Sequence, residues 1–311
     1  MEFSAMLGLG QTALELGLTY ALITLALFLS YSMLNVCDLS TDGCFTLGAA
    51  VGAVVALAGH PYLALPAAML AGICSGFVTA ILQTKLGINS LLSGIIVNTA
   101  LYSINIAVMG GSSILNLNKA ETVFTKLRAL LEKTPLAGMQ TLIIVLLAVA
   151  LVVAFLSVFL NTRLGLAIRA TGDNPDMVRS SSINPTFTTI IGLCIANAFT
   201  GLSGCLMAQA QKSVDVNIGS GVVTIALASL LIGGSFMGRG SIPKRAVGVV
   251  IGSILFRLVY TVALRLNMPA FMLKLISSVI VILAISIPYL KSQVPAMKRR
   301  MEHRKGGKEK C

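Results

Sequence analysis

The side chains that most enzymes need for catalysis are scarce in this sequence, and their spacing forms no recognisable site. Both histidines, His60 and His303, lie outside the long apolar runs, and we interpret each as a solvated loop residue. The six cysteines include no CxxC pair, which favours small buried apolar residues over a metal or disulfide site. A phosphate-binding GxxxxGK-S/T loop is also missing from the sequence. The sequence therefore predicts a chain that is not an enzyme and that holds no metal or cofactor of its own.

A second kind of chemistry is indicated by polar side chains within apolar runs, because such groups are costly in lipid and mark interior faces. Asn98, Tyr102 and Asn105 recur at intervals of four and three, which places them on one face of a helix. For a single Asn, hydrogen bonding between helices is an alternative to solute contact, and for Asp38 both remain open. The candidate pathway residues are Asn35, Asp38, Asn98, Tyr102, Asn105, Asn197 and Asn217.

One basic residue, Arg257, lies deep in an apolar run. An unpaired cation at such a position would be expensive, so a partner is expected. Glu15 and Asp38, which lie in and after the first apolar run, are the conceivable carboxylate partners. We therefore treat Glu15 and Arg257 as candidate buried charges.

Apolar runs of helical length make up most of the chain. The sequence is 56% hydrophobic and 11% charged, with a mean hydropathy of +0.90, and a spanning helix needs about 20 apolar residues. The runs do not alternate as barrel strands would, so they predict an all-α integral membrane protein with about nine transmembrane helices. These runs are 11–34, 45–59, 61–83, 88–109, 137–160, 187–209, 222–237, 246–265 and 270–289.

Basic residues predict the orientation in the membrane. The last segment, "KSQVPAMKRRMEHRKGGKEKC" (291–311), is strongly basic, and after a span it is better explained as a cytoplasmic tail near anionic lipid than as a nucleic-acid-binding arm. Counting back through nine spans then places 161–186 and 238–245 in the cytoplasm and the amino terminus outside. The outer loop 111–136 also carries basic residues and is predicted to be an amphipathic surface segment.

Two similar segments divide the chain into halves. "DLSTDGCFTLGAAVGA" (38–53) and "DVNIGSGVVTIALASL" (215–230) each begin with Asp, continue through polar residues and Gly, and lead into a short apolar run. Because five predicted spans separate them, the halves 1–110 and 187–290 are expected in opposite orientations, joined by a linking helix at 137–160. Paired short helices interrupted by Gly are typical of an inverted-repeat translocation site, and ordinary turn-forming loops are the alternative.

The segment "RATGDNPDMVRSSSINP" (169–185) concentrates helix-ending and helix-capping residues between two apolar runs. Gly172 is predicted to end one helix with a positive φ angle. Asn174 is a good N-cap and Pro175 suits the first position of a new short helix, which we predict over about 177–183. Its exposed apolar side chains are expected to be Met177, Val178 and Ile183. The candidate docking residues are Arg169, Gly172, Asp173, Asn174, Pro175, Met177, Arg179 and Ile183.

The stretch "AIRATGDNPDMVRSSSIN" resembles the cytoplasmic coupling segment of ABC importer permeases of the branched-chain amino acid and ribose type. The family's opening and ending patterns resemble "LTYALITLALFLSYSMLNVCDLSTDGCFTLGA" and "ALRLNMPAFMLKLISSVIVILAISIP". Within the family, "INSLLSGIIVNTALYSINIAVMG" (88–110) is most similar to permeases assigned to tryptophan or tyrosine uptake. One departure is Ser182, which stands where the family tends to have Gly.

The resemblance implies a transmembrane subunit that works by alternating access in the bacterial cytoplasmic membrane. Separate ATPase subunits would dock on the 161–186 segment, and these subunits would bind ATP and Mg. The further partners would be a second permease copy and an extracytoplasmic substrate-binding protein. The implied solute is an amino acid, with an aromatic one favoured, and a branched-chain amino acid, nucleoside or sugar remaining open. The alternative functions are an ion-coupled secondary transporter that titrates Glu15 or Asp38, and a membrane-assembly protein without transport activity.

Overall fold

The computed structural model describes residues 2–131, 139–237 and 240–265, together with 275, 278–283 and 286. A π-helical turn (Phe28–Met33) continues the first helix. The elements are α1 (Glu2–Leu27), α2 (Thr41–Leu57), α3 (Pro61–Thr84), α4 (Ser90–Val108), β1 (Ile114–Asn116), α5 (Val123–Leu131), α6 (Gln140–Phe159), α7 (Arg163–Asp173), α8 (Pro175–Ser180), α9 (Pro185–Gln211), β2 (Ser213–Asp215), α10 (Val222–Met237) and α11 (Ile242–Arg265).

Six of the described helical stretches are long and apolar enough to cross a membrane. They are Gly10–Met33, Pro61–Thr84, Ser90–Val108, Gln140–Phe159, Pro185–Gln211 and Ile242–Ala263, and they coincide closely with six of the predicted runs. The prediction of an all-α integral membrane protein is confirmed, with one small antiparallel ribbon, β1–β2, as an addition to it. Nine spans and two inverted halves stay predictions. The run 270–289 is described as helical at 278–283, and the tail 291–311 lies outside the described residues.

The two short apolar helices, α2 and α10, begin in the middle of the bundle and not at its ends. Residues 34–40 before α2 are non-helical, and Asp38 there bonds Asn197, midway along α9. Before α10, the backbone of Gly219 packs against that of Asp42 at the start of α2. The amino-terminal ends of α2 and α10 therefore meet inside the protein.

Small residues allow the backbones of α2, α3 and α9 to approach closely. Gly48 on α2 faces Gly201 on α9, and a methyl group on either one would overlap backbone atoms of a neighbouring helix. Gly72 on α3 packs in the same way against the carbonyl of Asn197. Close backbone packing of small residues is the usual basis of helix association in lipid, where burial of apolar area contributes little. The result is a closely packed group of three helices in which α9 contacts both α2 and α3.

The bundle has two distinguishable ends. The π-helical turn that continues α1 meets α7, where Met33 contacts Gly172, and we name this side the connector end. At the opposite side, the ribbon end, Leu115 of β1 pairs with Val214 of β2. α1 runs towards the connector end and α9 runs away from it, since Ser203 late in α9 bonds the backbone of α1 well before its end. The helices that open the two predicted halves thus run in opposite directions.

Candidate functional site

A polar cavity of about 330 Å³ opens where the amino-terminal ends of α2 and α10 meet α4. We name it the polar cavity and define it by its lining residues. They are Asp42, Gly43, Thr46, Asn98, Thr99, Tyr102, Asn105, Val216, Asn217, Gly219 and Ser220. Four of the seven predicted pathway residues are therefore brought together in one place.

The wall contributed by α4 follows from its polar periodicity. Asn89 caps this helix, because its Oδ1 accepts the N–H of Leu91 at 2.9 Å. One face then presents Asn98, Tyr102 and Asn105 to the polar cavity, as their spacing predicts. The buried Asn105 Nδ2 donates to the carbonyl of Gly43 at 3.2 Å, while Tyr102 is 50% exposed and offers a free ring and hydroxyl.

The opposite wall is held by Asp42, which the sequence analysis did not select. Its Oδ2 accepts the N–H of Gly221 at 2.9 Å, and its Oδ1 accepts the N–H of Val223 at 2.8 Å. One carboxylate from the first turn of α2 thereby caps the start of α10, where the partial positive charge of the helix favours an anion. Thr46 adds a third link, since its Oγ1 accepts the N–H of Gly219 at 3.2 Å.

Asp38 and Asn197 lie beside the polar cavity and do not line it. The buried Asp38 carboxylate accepts the N–H and Oγ–H of Ser40 at 2.8 and 2.6 Å, and the Nδ2 of Asn197 at 2.8 Å. That Nδ2 also donates to the carbonyl of Leu193 at 3.2 Å. Of the two roles left open for these residues, the geometry favours interhelical hydrogen bonding.

Asn35 is the pathway candidate that lies farthest from this arrangement. It is exposed at the connector end, directly after the π-helical turn, with a φ of 56° in the left-handed region. Asn adopts this conformation more readily than most residues. In the structure Asn35 therefore reverses the chain between α1 and α2, and it does not face the polar cavity.

The expectation that Arg257 pairs with Glu15 or Asp38 is wrong. Its guanidinium carbon lies 3.7 Å from the ring centroid of Tyr20, and the side chain is 6% exposed. Glu15 instead accepts a hydrogen bond from Gln11, and within the described part of the chain no ion pair includes Arg257. A cation over an aromatic face is attracted by the ring quadrupole, which explains how the charge is accommodated without a carboxylate.

At the connector end, the capping predictions for 172–175 hold in part. Asn174 Oδ1 accepts the N–H groups of Asp176 and Met177 at 3.1 Å each, and Pro175 occupies the first position of α8, as predicted. Gly172 does not end the preceding helix, which continues to Asp173. A methyl group at Gly172 would overlap the carbonyl of Met33, so this Gly allows α7 to pack against the end of α1.

The exposed side of α8 forms a compact surface, which we name the α8 surface. The helix spans Pro175–Ser180 and is shorter than predicted. Met177 is 67% exposed and Ile183 is 38% exposed, but Val178 is buried and anchors the helix, contrary to expectation. Arg179 makes an exposed ion pair with Asp176 at 3.5 Å. Arg169 lies on α7 and is only partly exposed.

A family model described as "Branched-chain amino acid transport system / permease component" matches residues 11–285. The chain belongs to this family. As a permease component it is a membrane-spanning subunit of a transport system. The expected resemblance to this family is thereby confirmed, with most of the chain included in the match.

Individual relatives of the permease differ in the solute that their names give. The chain is 34% identical, over 85% of its length and 86% of the relative's, to the tyrosine transport system permease protein of Clostridioides difficile. It is 24% identical to the ribose import permease protein of Escherichia coli, over 80% and 76% of the two chains. A probable branched-chain amino acid transport permease protein of Methanocaldococcus jannaschii is 26% identical over 68% and 69%. No solved structure matches the chain significantly.

Proposed function

We propose that this permease is the transmembrane subunit of an ATP-binding-cassette importer in a bacterial cytoplasmic membrane. The single observation that carries the proposal is the α8 surface, a capped helix that presents Met177 and Arg179 at one end of the bundle. A capped surface helix with an apolar tip suits docking to a soluble protein. That protein would be an ATPase subunit that holds ATP and Mg, and the connector end would be cytoplasmic, as would the carboxyl terminus.

A short link connects the α8 surface to the helices inside the bundle. Only residues 181–184 separate α8 from α9, and Asn184 caps α9 by accepting the N–H of Thr186 at 3.0 Å. Because α9 packs closely on α2 and α3, a shift of α8 would move these helices as a unit. In the proposed mechanism, ATP-driven closure of two ATPase subunits displaces α8 on each of two permease copies and switches access to the pathway. A binding protein delivers the solute on the ribbon end.

The solute that we favour is an amino acid, with an aromatic one first. Two features support this choice: the identity with the tyrosine permease and the composition of the polar cavity. Asn98 supplies an amide, and Tyr102 supplies a ring and a hydroxyl, so this wall can bond polar groups and stack on a flat side chain. Branched-chain amino acids, nucleosides and sugars are the competing solutes.

The docking proposal is tested with the permease and its ATP-binding-cassette subunit co-expressed and purified in nanodiscs. Met177→Asp with Arg179→Glu changes the α8 surface, and Met139→Asp with Lys119→Glu makes the same changes at exposed sites outside it. We expect the α8 pair to abolish complex formation and ATPase stimulation, while the control pair leaves both intact. Equal behaviour of the two pairs would contradict the proposal. So would uptake in proteoliposomes that follows a proton or sodium gradient without ATP.

The solute is tested by uptake of labelled tyrosine in competition with unlabelled tyrosine, leucine, uridine and ribose. Tyr102→Ala and Asn98→Ala alter the polar cavity, and Ile96→Ala shortens an exposed side chain of α4 that does not line it. We expect tyrosine to compete best and the two cavity variants to lower uptake about tenfold, equivalent to about 1.4 kcal/mol. Uptake that responds equally to all three variants would show that the cavity does not contact the solute.

A further inference from the structure

A second and larger groove, of about 800 Å³, runs between α3, α6 and α9 and is closed at the ribbon end by α5. We name it the apolar groove. It is lined almost entirely by apolar side chains, among them Met69 on α3, Leu147 on α6 and Phe199 on α9. Its volume lies within the range of about 300–1,000 Å³ that is typical of small-molecule sites. It shares no lining residue with the polar cavity.

The apolar groove exists because α6 packs mainly along α1 and contacts α9 at few positions. Val145, Val149 and Leu156 bury one side of α6 in the main core. Towards the connector end, Phe155 closes the gap by packing edge to face on Phe199, with ring centroids 5.8 Å apart. All three long helices around the groove are candidate membrane spans, so the groove lies at the level of the hydrocarbon region of the bilayer.

A basic and an aromatic side chain lie close together where α5 covers the ribbon end of this groove. Val123 and Leu127 of α5 line the groove, and Lys126 lies between them on the same helix. The Lys126 Nζ lies 5.5 Å from the ring centroid of Tyr62, which precedes the groove-lining Leu65 by one turn of α3. Tyr and Lys at this depth are typical of the membrane interface, where one end of a side chain is apolar and the other wet.

Lys126 also forms an ion pair with Glu121 at 3.2 Å, and this pair leaves donors of the Lys126 ammonium available for another anion. The Glu121 side chain is 71% exposed, and exposed ion pairs contribute little. A Lys ammonium has three donors, of which the pair uses one. Arg128, two residues further along α5, is exposed on a different side of the helix and adds to the positive charge of this segment.

We propose that the apolar groove binds an acyl chain of an anionic phospholipid whose phosphate is held by Lys126, with Arg128 adding to the positive charge of α5. An acyl chain matches the apolar lining, and the positive charge that Lys126 and Arg128 give α5 at this end of the groove favours a headgroup with net negative charge over a zwitterionic one. The acyl chain would supply the van der Waals contacts along the groove that α6 does not make with α3 and α9. An empty groove would lack these contacts. The site would therefore stabilise α6 against the rest of the bundle.

The test uses the full permease in nanodiscs that contain phosphatidylglycerol or phosphatidylcholine with a diazirine on one acyl chain. After illumination, mass spectrometry locates the labelled peptides. We expect labelling of α6 and α9 inside the apolar groove, several-fold stronger with phosphatidylglycerol. We also expect phosphatidylglycerol to raise the melting temperature of the permease more than phosphatidylcholine does.

Two independent sets of variants test the acyl-chain site and the headgroup site separately. Lys126→Glu with Arg128→Glu should remove the preference for phosphatidylglycerol, while Lys119→Glu at another exposed site retains it. Ala148→Trp fills the groove and should abolish labelling by both lipids, whereas Ala150→Trp, on an exposed part of α6 outside the lining, should not.

Three results would overturn the proposal. The first is equal labelling by both lipids in the wild-type permease, and the second is a charge-reversed variant that keeps its preference. The third is occupation of the apolar groove by protein, seen as cross-links from α6 to a second copy or to residues 266–290 of the same chain. The charge-reversed variant alters only exposed or partly exposed side chains, so its result does not depend on whether Ala148→Trp folds.

Discussion

The Asp42→Ala substitution removes the carboxylate that joins the start of α2 to the start of α10. Two backbone N–H groups, of Gly221 and Val223, lose their acceptor. Hydrogen bonds to a charged group contribute about 1.5–3 kcal/mol each, whereas loss of a helix N-cap costs about 0.5–2 kcal/mol. Asp42 is half-buried at the edge of the polar cavity, so water replaces part of the loss. We therefore expect a destabilisation of about 2–3 kcal/mol.

The assay is thermal unfolding in a fixed detergent together with amide hydrogen exchange. At about 2–4 °C per kcal/mol for a large domain, the expected fall in melting temperature is about 5–10 °C. Exchange should accelerate locally in the peptide that contains Gly221 and Val223, because their amides become open to water. Asp42→Asn keeps one acceptor oxygen and should lose about half as much as Asp42→Ala.

The matched control is Asp176→Ala, which removes an exposed acidic residue from the first turn of another helix. It should change the melting temperature little and leave exchange around Val223 at the wild-type rate. If Asp42→Ala melts at the wild-type temperature, or if its exchange increase is spread over the whole bundle, the carboxylate does not hold the two helices together. The assignment of Asp42 as the link between α2 and α10 at the polar cavity would then be wrong.

Three further substitutions test other parts of the fold by the same thermal assay. Ser182 has a φ of 61°, so Ser182→Gly should stabilise by about 1 kcal/mol through relief of left-handed strain, whereas Ser181→Gly, at a negative φ, should not. Asn197→Ala leaves an oxygen of the buried Asp38 carboxylate unpaired and should cost about 2–4 kcal/mol. Gly204→Ala forces a methyl group against a backbone carbonyl of α2 and should cost about 1–3 kcal/mol. Unchanged melting temperatures would contradict each of these in turn.

The features that sequence reasoning recovered are those that depend on local order. The length of an apolar run decides whether a helix can span lipid, and six described spans follow the runs. The cap at Asn174 and the position of Pro175 depend on neighbours two and three residues away. The common face of Asn98, Tyr102 and Asn105 follows from helical periodicity alone.

The features that it missed depend on which distant elements meet. Gly172 could end a helix or admit a close neighbour, and only the contact with the end of α1 decides between them. Arg257 needed a partner, but an inventory of charges offered carboxylates, whereas the fold supplies the face of Tyr20. Asp42 looked like an ordinary acid in the first turn of its own helix, although it caps a different helix by bonding Val223, which lies 181 residues away in sequence.

These contacts form a continuous series from the α8 surface to the polar cavity. α8 leads through four residues into α9, Asn197 of α9 bonds Asp38, and the chain from Asp38 leads to Asp42, which caps α10. Under the proposed function, Asn197→Ala and Asp42→Ala should lower solute uptake more than they lower ATP hydrolysis, because they loosen links between docking and pathway while leaving the α8 surface intact. Uptake measured per ATP in proteoliposomes checks this expectation, with Ile96→Ala, an exposed side chain outside both the α8 surface and the polar cavity, as the control. A ratio that stays at the wild-type value in both variants would show that the displacement reaches the pathway by another route.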